Sequence, residues 1–257
     1  EEPGNLASLC IEFVPRARNW TDSGFSSREC NHRRWASKLT PRTGRGAHAP
    51  SLRIGVIMRI CIIGDELITP MGDPRGLGWV GRVLARSEFP SPPTVMTLAV
   101  PGETTSQLAA RWEDEVVYRF APDEPCALII AVGCSDIPAG ISTPRSRLNL
   151  ANITDRASTL GIPSMVVGPP PLAGVQSSAV KELSLSCQQV CERRDIPFVD
   201  TYTPLVAHDQ WFEDIASSSV RSARGASMPG QSGFALMAWL VLHQGWFEWT
   251  GATPADV

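Results

Sequence analysis

A strand-like run that ends in two acidic residues is the feature of this sequence with the clearest chemical meaning. The apolar residues 60–63 are followed by Gly64, Asp65 and Glu66. A carboxylate at the end of a strand can exchange a proton with a bound molecule. It is a poorer nucleophile toward esters than an activated serine, because its attack gives a labile anhydride. Glu66 therefore indicates acid–base chemistry, or no chemistry, rather than ordinary ester cleavage.

The segments after residue 57 alternate between strand-like and helix-like patterns, which is typical of a parallel sheet with helices on both faces. Strands are predicted at residues 59–63, 94–99, 127–132, 164–168 and 197–200. Helices are predicted near residues 77–86, 104–120, 147–160, 177–194, 211–217 and 230–249. Ligands of such sheets bind beyond the carboxyl ends of the strands. Residues 64–66, 102 and 133–136 are all expected at that edge.

Composition divides the 257-residue chain near Met58. Residues 1–57 hold 9 Lys/Arg against 5 Asp/Glu, which leaves 14 against 21 for the remainder, so the two parts carry +4 and −7. Residues 1–57 lack periodicity and are rich in Arg, Ser, Gly and Pro, so we expect a disordered leader or an upstream artefact there. The alternative is a basic tail that docks on an acidic surface. Residues 58–257 are expected to form one domain.

Composition also excludes several classes of function. The acidic body disfavours nucleic acid as a partner, since phosphate binding needs clustered Lys and Arg. The longest apolar runs are of strand length, so no membrane span is expected. The seven cysteines form no CxxC pair and have no His at ligand spacing, so neither a zinc site nor a disulfide framework is predicted. We expect no metal and no cofactor. We expect a cytoplasmic protein.

Several segments together resemble the sequence blocks of the SGNH/GDSL hydrolases, over about residues 58–249. Gly64-Asp65-Glu66-Leu67 stands where that family has Gly-Asp-Ser-Leu, and residues 101–105 resemble its second block. Residues 133–136 resemble its Gly-x-Asn-Asp block, and residues 225–229 its Asp-Gly-x-His-Pro block. Residues 72–82 resemble the loop that leads into the first helix in a bacterial subgroup of this family. The resemblance implies a three-layer, flavodoxin-like α/β fold with a five-stranded parallel sheet.

The resemblance also assigns positions to the catalytic groups of the family. Glu66 occupies the nucleophile position, and Gly102 and Ser135 occupy the oxyanion-hole positions. Gly225 and Met228 occupy the acid and base positions. Ester hydrolysis by this machinery needs a hydroxyl, an imidazole and an orienting carboxylate. Only Gly102 is unchanged, so the resemblance implies a degenerate member that lacks the triad.

Other histidines are weak candidates for a relocated base. His208 is expected on the surface or at the start of a helix, and His243 is expected as an ordinary residue of the last helix. His32 and His48 lie in the leader.

Three functions follow, in order of preference. The first is a pseudoenzyme that has lost ester hydrolysis and binds a partner or a small acyl or ester-like ligand, in a pocket of Asp65, Glu66, Gly102, Ser135, Asp136 and Met228. The second is an enzyme in which Glu66 is the acid or base of a transfer, elimination or cyclisation step, in secondary metabolism. The third is an ordinary GDSL esterase or lipase. Whether the chain is an enzyme is left open.

Two expectations about Glu66 differ in where its side chain lies. In a lost site, a charged residue at an exposed turn faces water at little cost. In a retained site, Glu66 faces Asp136, and the two carboxylates repel each other. The second arrangement predicts that Glu66→Gln is as stable as the parent, or more stable.

Overall fold

A five-stranded parallel sheet forms the centre of the protein in a computed structural model, which describes residues 58–120 and 124–255. The order in the sheet is β3-β1-β4-β5-β6. A separate antiparallel pair joins β2 to β7. The strands are β1 (Arg59–Gly64), β2 (Ser87–Glu88), β3 (Thr94–Ala99), β4 (Cys126–Ala131), β5 (Ser164–Val167), β6 (Phe198–Val199) and β7 (Thr253–Pro254).

Helices cover both faces of this sheet. They are α1 (Gly78–Ala85), α2 (Thr105–Val117), α3 (Thr143–Thr159), α4 (Ser177–Glu192), α5 (Tyr202–Leu205), α6 (Asp209–Ser217), α7 (Gln231–Val241) and α8 (Phe247–Thr250). A single 3₁₀ turn, Glu66–Ile68, follows β1 directly.

The side chains of β1 point alternately to the two faces of the sheet and so belong to two layers of the core. Ile60 and Ile62 pack with residues of α1, α6 and α7, whereas Cys61 and Ile63 pack with residues of α2, α3 and α4. Successive strand residues point to opposite faces, so a strand covered on both sides is apolar throughout. The five strands and the α/β class predicted from the sequence are confirmed.

Several elements differ from the predictions. Helix α3 begins at Thr143 instead of residue 147, with Pro144 in its first turn, where a missing N–H costs nothing. The predicted helix at 230–249 is interrupted, since α7 ends at Val241 and the backbone leaves helical geometry at Gln244 and Gly245. The four-residue helix α5 and the short β2/β7 pair were not predicted.

The predicted leader, residues 1–57, lies outside the described residues. None of the helices in the described ranges has the length and apolar character needed to cross a bilayer.

Candidate active site

The side chain of Glu66 is buried and bound to backbone N–H groups on both sides. It is 2% exposed. One carboxylate oxygen accepts a hydrogen bond from the N–H of Gly102 at 2.5 Å, and the other accepts from the N–H of Ala223 at 2.7 Å. The expectation that Glu66 faces water at an exposed turn is therefore wrong. Two backbone donors stabilise its charge in place of solvent.

Asp65 lies beside Glu66 and caps the 3₁₀ turn. Its Oδ1 accepts from the N–H of Leu67 at 3.1 Å, and its Oδ2 accepts from the hydroxyl of Ser135 at 3.2 Å. Gly133 leaves the room for this carboxylate, because a Cβ there would lie 1.7 Å from Oδ2 of Asp65. The glycine of the Gly-Cys-Ser-Asp block thus makes the close approach of the two strand ends possible.

Burial raises the pKa of Asp65 to about 7, since the ionised form loses its solvation. The N–H of Leu67 and the hydroxyl of Ser135 lower the pKa, while the charge of Glu66 raises it further. Asp65 is therefore a carboxyl group that exchanges its proton near neutral pH.

Asp136 is separated from Glu66 by its own set of hydrogen bonds. Its carboxylate accepts from the N–H and the hydroxyl of Thr105 at 2.7 and 2.6 Å, and also from the hydroxyl of Ser146. It lines a neighbouring small cavity with Asp65, not the cavity that contains Glu66. The prediction that Asp136 belongs to the same pocket as Glu66 is therefore wrong, because Asp136 ties the start of α2 to α3.

A hairpin covers Glu66 from the other side. Arg221 and Ser227 pair across it, and Ala223 in the hairpin supplies one of the donors to Glu66. The side chain of Arg224 donates to the carbonyl of Gly102 at 2.8 Å. Sequence reasoning missed this hairpin, residues 221–227. Gly225 was a signal for a turn, but a backbone donor such as the N–H of Ala223 has no sequence signature.

The structure brings only some of the predicted site residues together at one cavity. Glu66, Ser135, Met228 and Asp65 line one cavity of about 10 Å³, the size of one water molecule. Gly102 reaches it through its hydrogen bond to Glu66. Gly225 lies at the hairpin turn, outside the residues that line the cavity.

Neither of the two histidines in the described ranges lines this cavity. His208 lies at the start of α6, and the ring of His243 stacks on Trp239 with centroids 4.1 Å apart. No group of three His, Cys, Asp or Glu in the described ranges is arranged to hold a metal ion.

Most of the described sequence matches one known protein family. Residues 62–220 match the GDSL-like Lipase/Acylhydrolase family. The chain belongs to this family. No protein among those with curated descriptions matches it.

Solved structures of GDSL-like enzymes share the fold. The lipase/acylhydrolase from Enterococcus faecalis superposes with a TM-score of 0.58 at 18% identity, covering 78% of this chain and 100% of that one. The acetylxylan esterase Axe2 from Geobacillus stearothermophilus gives 0.59 at 19% identity, covering 77% and 98%. A GDSL-family lipolytic protein from Veillonella parvula gives 0.55 at 22% identity, covering 72% and 96%.

The geometry of this GDSL-like chain restricts what its site can do. The N–H of Gly102, which the resemblance assigns to the oxyanion hole, already donates to the carboxylate of Glu66. The roles assigned to Glu66, Ser135, Gly225 and Met228 remain predictions.

Proposed function

We propose that this GDSL-like protein does not hydrolyse esters and acts instead as a binding protein built on the hydrolase fold. The observation that carries the proposal is the carboxylate of Glu66, which accepts from the N–H groups of Gly102 and Ala223. Acyl transfer needs such donors to be free for the oxyanion that develops in the transition state. Here a fixed anion of the protein itself already takes that place.

The other side chains at the site agree with this proposal. Glu66 brings no hydroxyl, and the thioether of Met228 cannot accept a proton from one at neutral pH. The cavity of about 10 Å³ admits no acyl chain unless the hairpin 221–227 moves. We therefore favour a macromolecular partner over a small acyl ligand. The free thiols of the described cysteines, among them Cys61 and Cys134, favour a cytoplasmic location.

A second function, an enzyme with altered chemistry, is supported by Asp65. Its pKa is raised to about 7, chiefly by burial, and it lines the same cavity as Glu66. A carboxyl group with such a pKa suits general acid–base catalysis near neutral pH. In this alternative Asp65 transfers the proton in place of Glu66, to which the sequence assigned that role, because both oxygens of Glu66 accept from backbone N–H groups.

An ester hydrolysis assay tests the proposed loss of activity. We expect no turnover of short-chain aryl esters above background, because losing a triad that acts as a unit removes roughly 10⁴ to 10⁶ of rate. Wild-type turnover that disappears in Glu66→Ala would overturn the proposal. Turnover that is unchanged by Glu66→Ala and persists through further purification would overturn it as well, whereas turnover that purification removes comes from a contaminating esterase.

Restoring the family residues tests the assigned positions. The variant Glu66→Ser, Gly225→Asp, Met228→His should gain measurable ester turnover, while Glu66→Ser alone should not. Position 225 has φ +85°, a left-handed conformation that aspartate tolerates better than most residues. A folded triple variant without activity would count against the assignment.

A further inference from the structure

A groove separate from the candidate active site runs between α1 and α7. Its volume is about 450 Å³. Arg75 precedes α1 by three residues, Arg86 follows its last residue, and Gln210 of α6 also lines the groove. The floor includes the apolar side chains of Leu77, Leu236 and Trp239.

The charge of this groove is opposite to that of the body around it. Three arginines and no acidic residue line the groove, although residues 58–257 carry a net charge of −7. Arg82 is already paired with Asp73. Arg75 and Arg86 have no side-chain partner among the described residues. Two uncompensated guanidinium groups therefore face any molecule that enters the groove.

Trp239 gives the groove a rigid apolar anchor. It is 52% exposed, and its indole stacks on the ring of His243, which also contacts the Trp239 carbonyl at 2.7 Å. Leu77, in the same groove, is 40% exposed. Tryptophan and arginine are the residues most often found at the energetic centres of protein interfaces. The groove is open to solvent, so a macromolecular surface covers it better than a small ligand does.

Helix α6 places an acidic ridge beside the groove. Trp211 and Ile215 of α6 are buried, and Gln210 of the same helix lines the groove. Asp209 and Glu213, four residues apart, share the exposed side of α6. Neither has an ion-pair partner in the part of the chain that the structure describes.

We propose that a second copy of this chain binds here, with the acidic ridge of each copy (Asp209 and Glu213) against the arginines of the other copy's groove. A two-fold interface uses the same patch on both copies, so it needs complementary features side by side on one face. The cationic groove and the acidic ridge meet that condition. Residues 1–57 are a poorer occupant, because their net charge of +4 repels the groove arginines. The proposal stands whether or not ester hydrolysis is lost.

Sedimentation velocity of the full chain tests the interface. We expect a concentration-dependent dimer that weakens as NaCl increases, since the contact between ridge and groove is ionic. Trp239→Ala should weaken association at least about tenfold, as expected for a central aromatic anchor. Two control variants should leave the dimer unchanged. Tyr118→Ala removes another exposed aromatic residue, directly after the last residue of α2, and Arg145→Glu reverses an exposed charge on α3.

Charge reversal tests the orientation. Arg75→Glu, Arg86→Glu and Glu213→Arg should each weaken the dimer, and combining Glu213→Arg with one of the two arginine variants should restore it. Circular dichroism and thermal unfolding verify that each variant folds. A wild-type chain that stays monomeric up to a concentration of about 100 µM would overturn the proposal, because its dissociation constant would then lie above that concentration. So would a dimer insensitive to Trp239→Ala, recovery in neither double variant, or a dimer that forms only after residues 1–57 are removed.

Discussion

Glu66 is the residue on which the candidate site depends, because it is the acceptor for the N–H groups of Gly102 and Ala223. Replacing it by alanine leaves both donors without that acceptor. A buried donor without a partner costs about 1–3 kcal/mol. The N–H of Gly102 is buried, but Ala223 is an exposed residue at which water can replace the carboxylate, so we expect Glu66→Ala to lower the free energy of unfolding by about 1–3 kcal/mol, measured by urea denaturation.

Acetate provides the specific control for this loss. The atoms removed by Glu66→Ala correspond to acetate, which should bind the two freed N–H groups and restore part of the stability. The same concentration of chloride should not, and wild type should respond equally to both salts. A loss unaffected by acetate would mean that the two hydrogen bonds contribute little.

The same contacts reverse the earlier expectation for Glu66→Gln. Glu66 and Asp136 bind different donors, and the carboxyl group whose pKa the charge of Glu66 raises is Asp65, which keeps its proton below about pH 7, so relief of repulsion contributes little there. An amide has one acceptor oxygen, and its NH₂ group would face an N–H of Gly102 or Ala223. Glu66→Gln should therefore be less stable than the parent, though more stable than Glu66→Ala.

Asp65 should make stability depend on pH. Its pKa rises from 3.8 to about 7 on folding, chiefly through burial, so the native state binds the proton more tightly than the unfolded state. The contribution is fully present below about pH 4 and is lost as pH rises through about 7. Asp65→Asn should reduce this decline between pH 4 and 7, measured by urea denaturation across that range. Equal slopes in both proteins would mean that Asp65 is ionised in the fold across this range.

At the scale of elements, the sequence predicts what apolar patterning controls. The strands around Ile62 and Ile129 are buried on both faces, so their composition alone marks them. The segments that resemble the sequence blocks of the family likewise predicted that Asp65, Gly102 and Ser135 lie near one another. The ends of these strands place Asp65, Gly102 and Ser135 at one edge of the sheet.

Elements held by the backbone were not predictable in the same way. The hairpin 221–227 contacts Glu66 through an N–H, a group that every residue except proline carries. The β2/β7 pair has only two residues in each strand, too few for a periodic pattern. The sequence did not predict the burial of Glu66, because the partners of its carboxylate are backbone N–H groups distant in sequence.

At the scale of the whole molecule, the described body has a full core without residues 1–57. Met58 is buried in that core, and β1, which begins at Arg59, pairs on both sides with β3 and β4. The sheet is thus complete from its first strand. Residues 58–257 carry a net charge of −7 and residues 1–57 a net charge of +4.

Removal of residues 1–57 should therefore leave folding stability unchanged. That segment is polar and aperiodic, so it offers little apolar area to bury. We expect the thermal midpoints of the full chain and of a chain starting at Met58 to agree within about 5 °C, measured by calorimetry at matched concentration. A chain starting at Gly64 is the control for sensitivity, since it lacks the central strand and should not fold. A larger drop on removing residues 1–57 would mean that they pack on the body, and the +4 charge would then point to its acidic surface as their binding site.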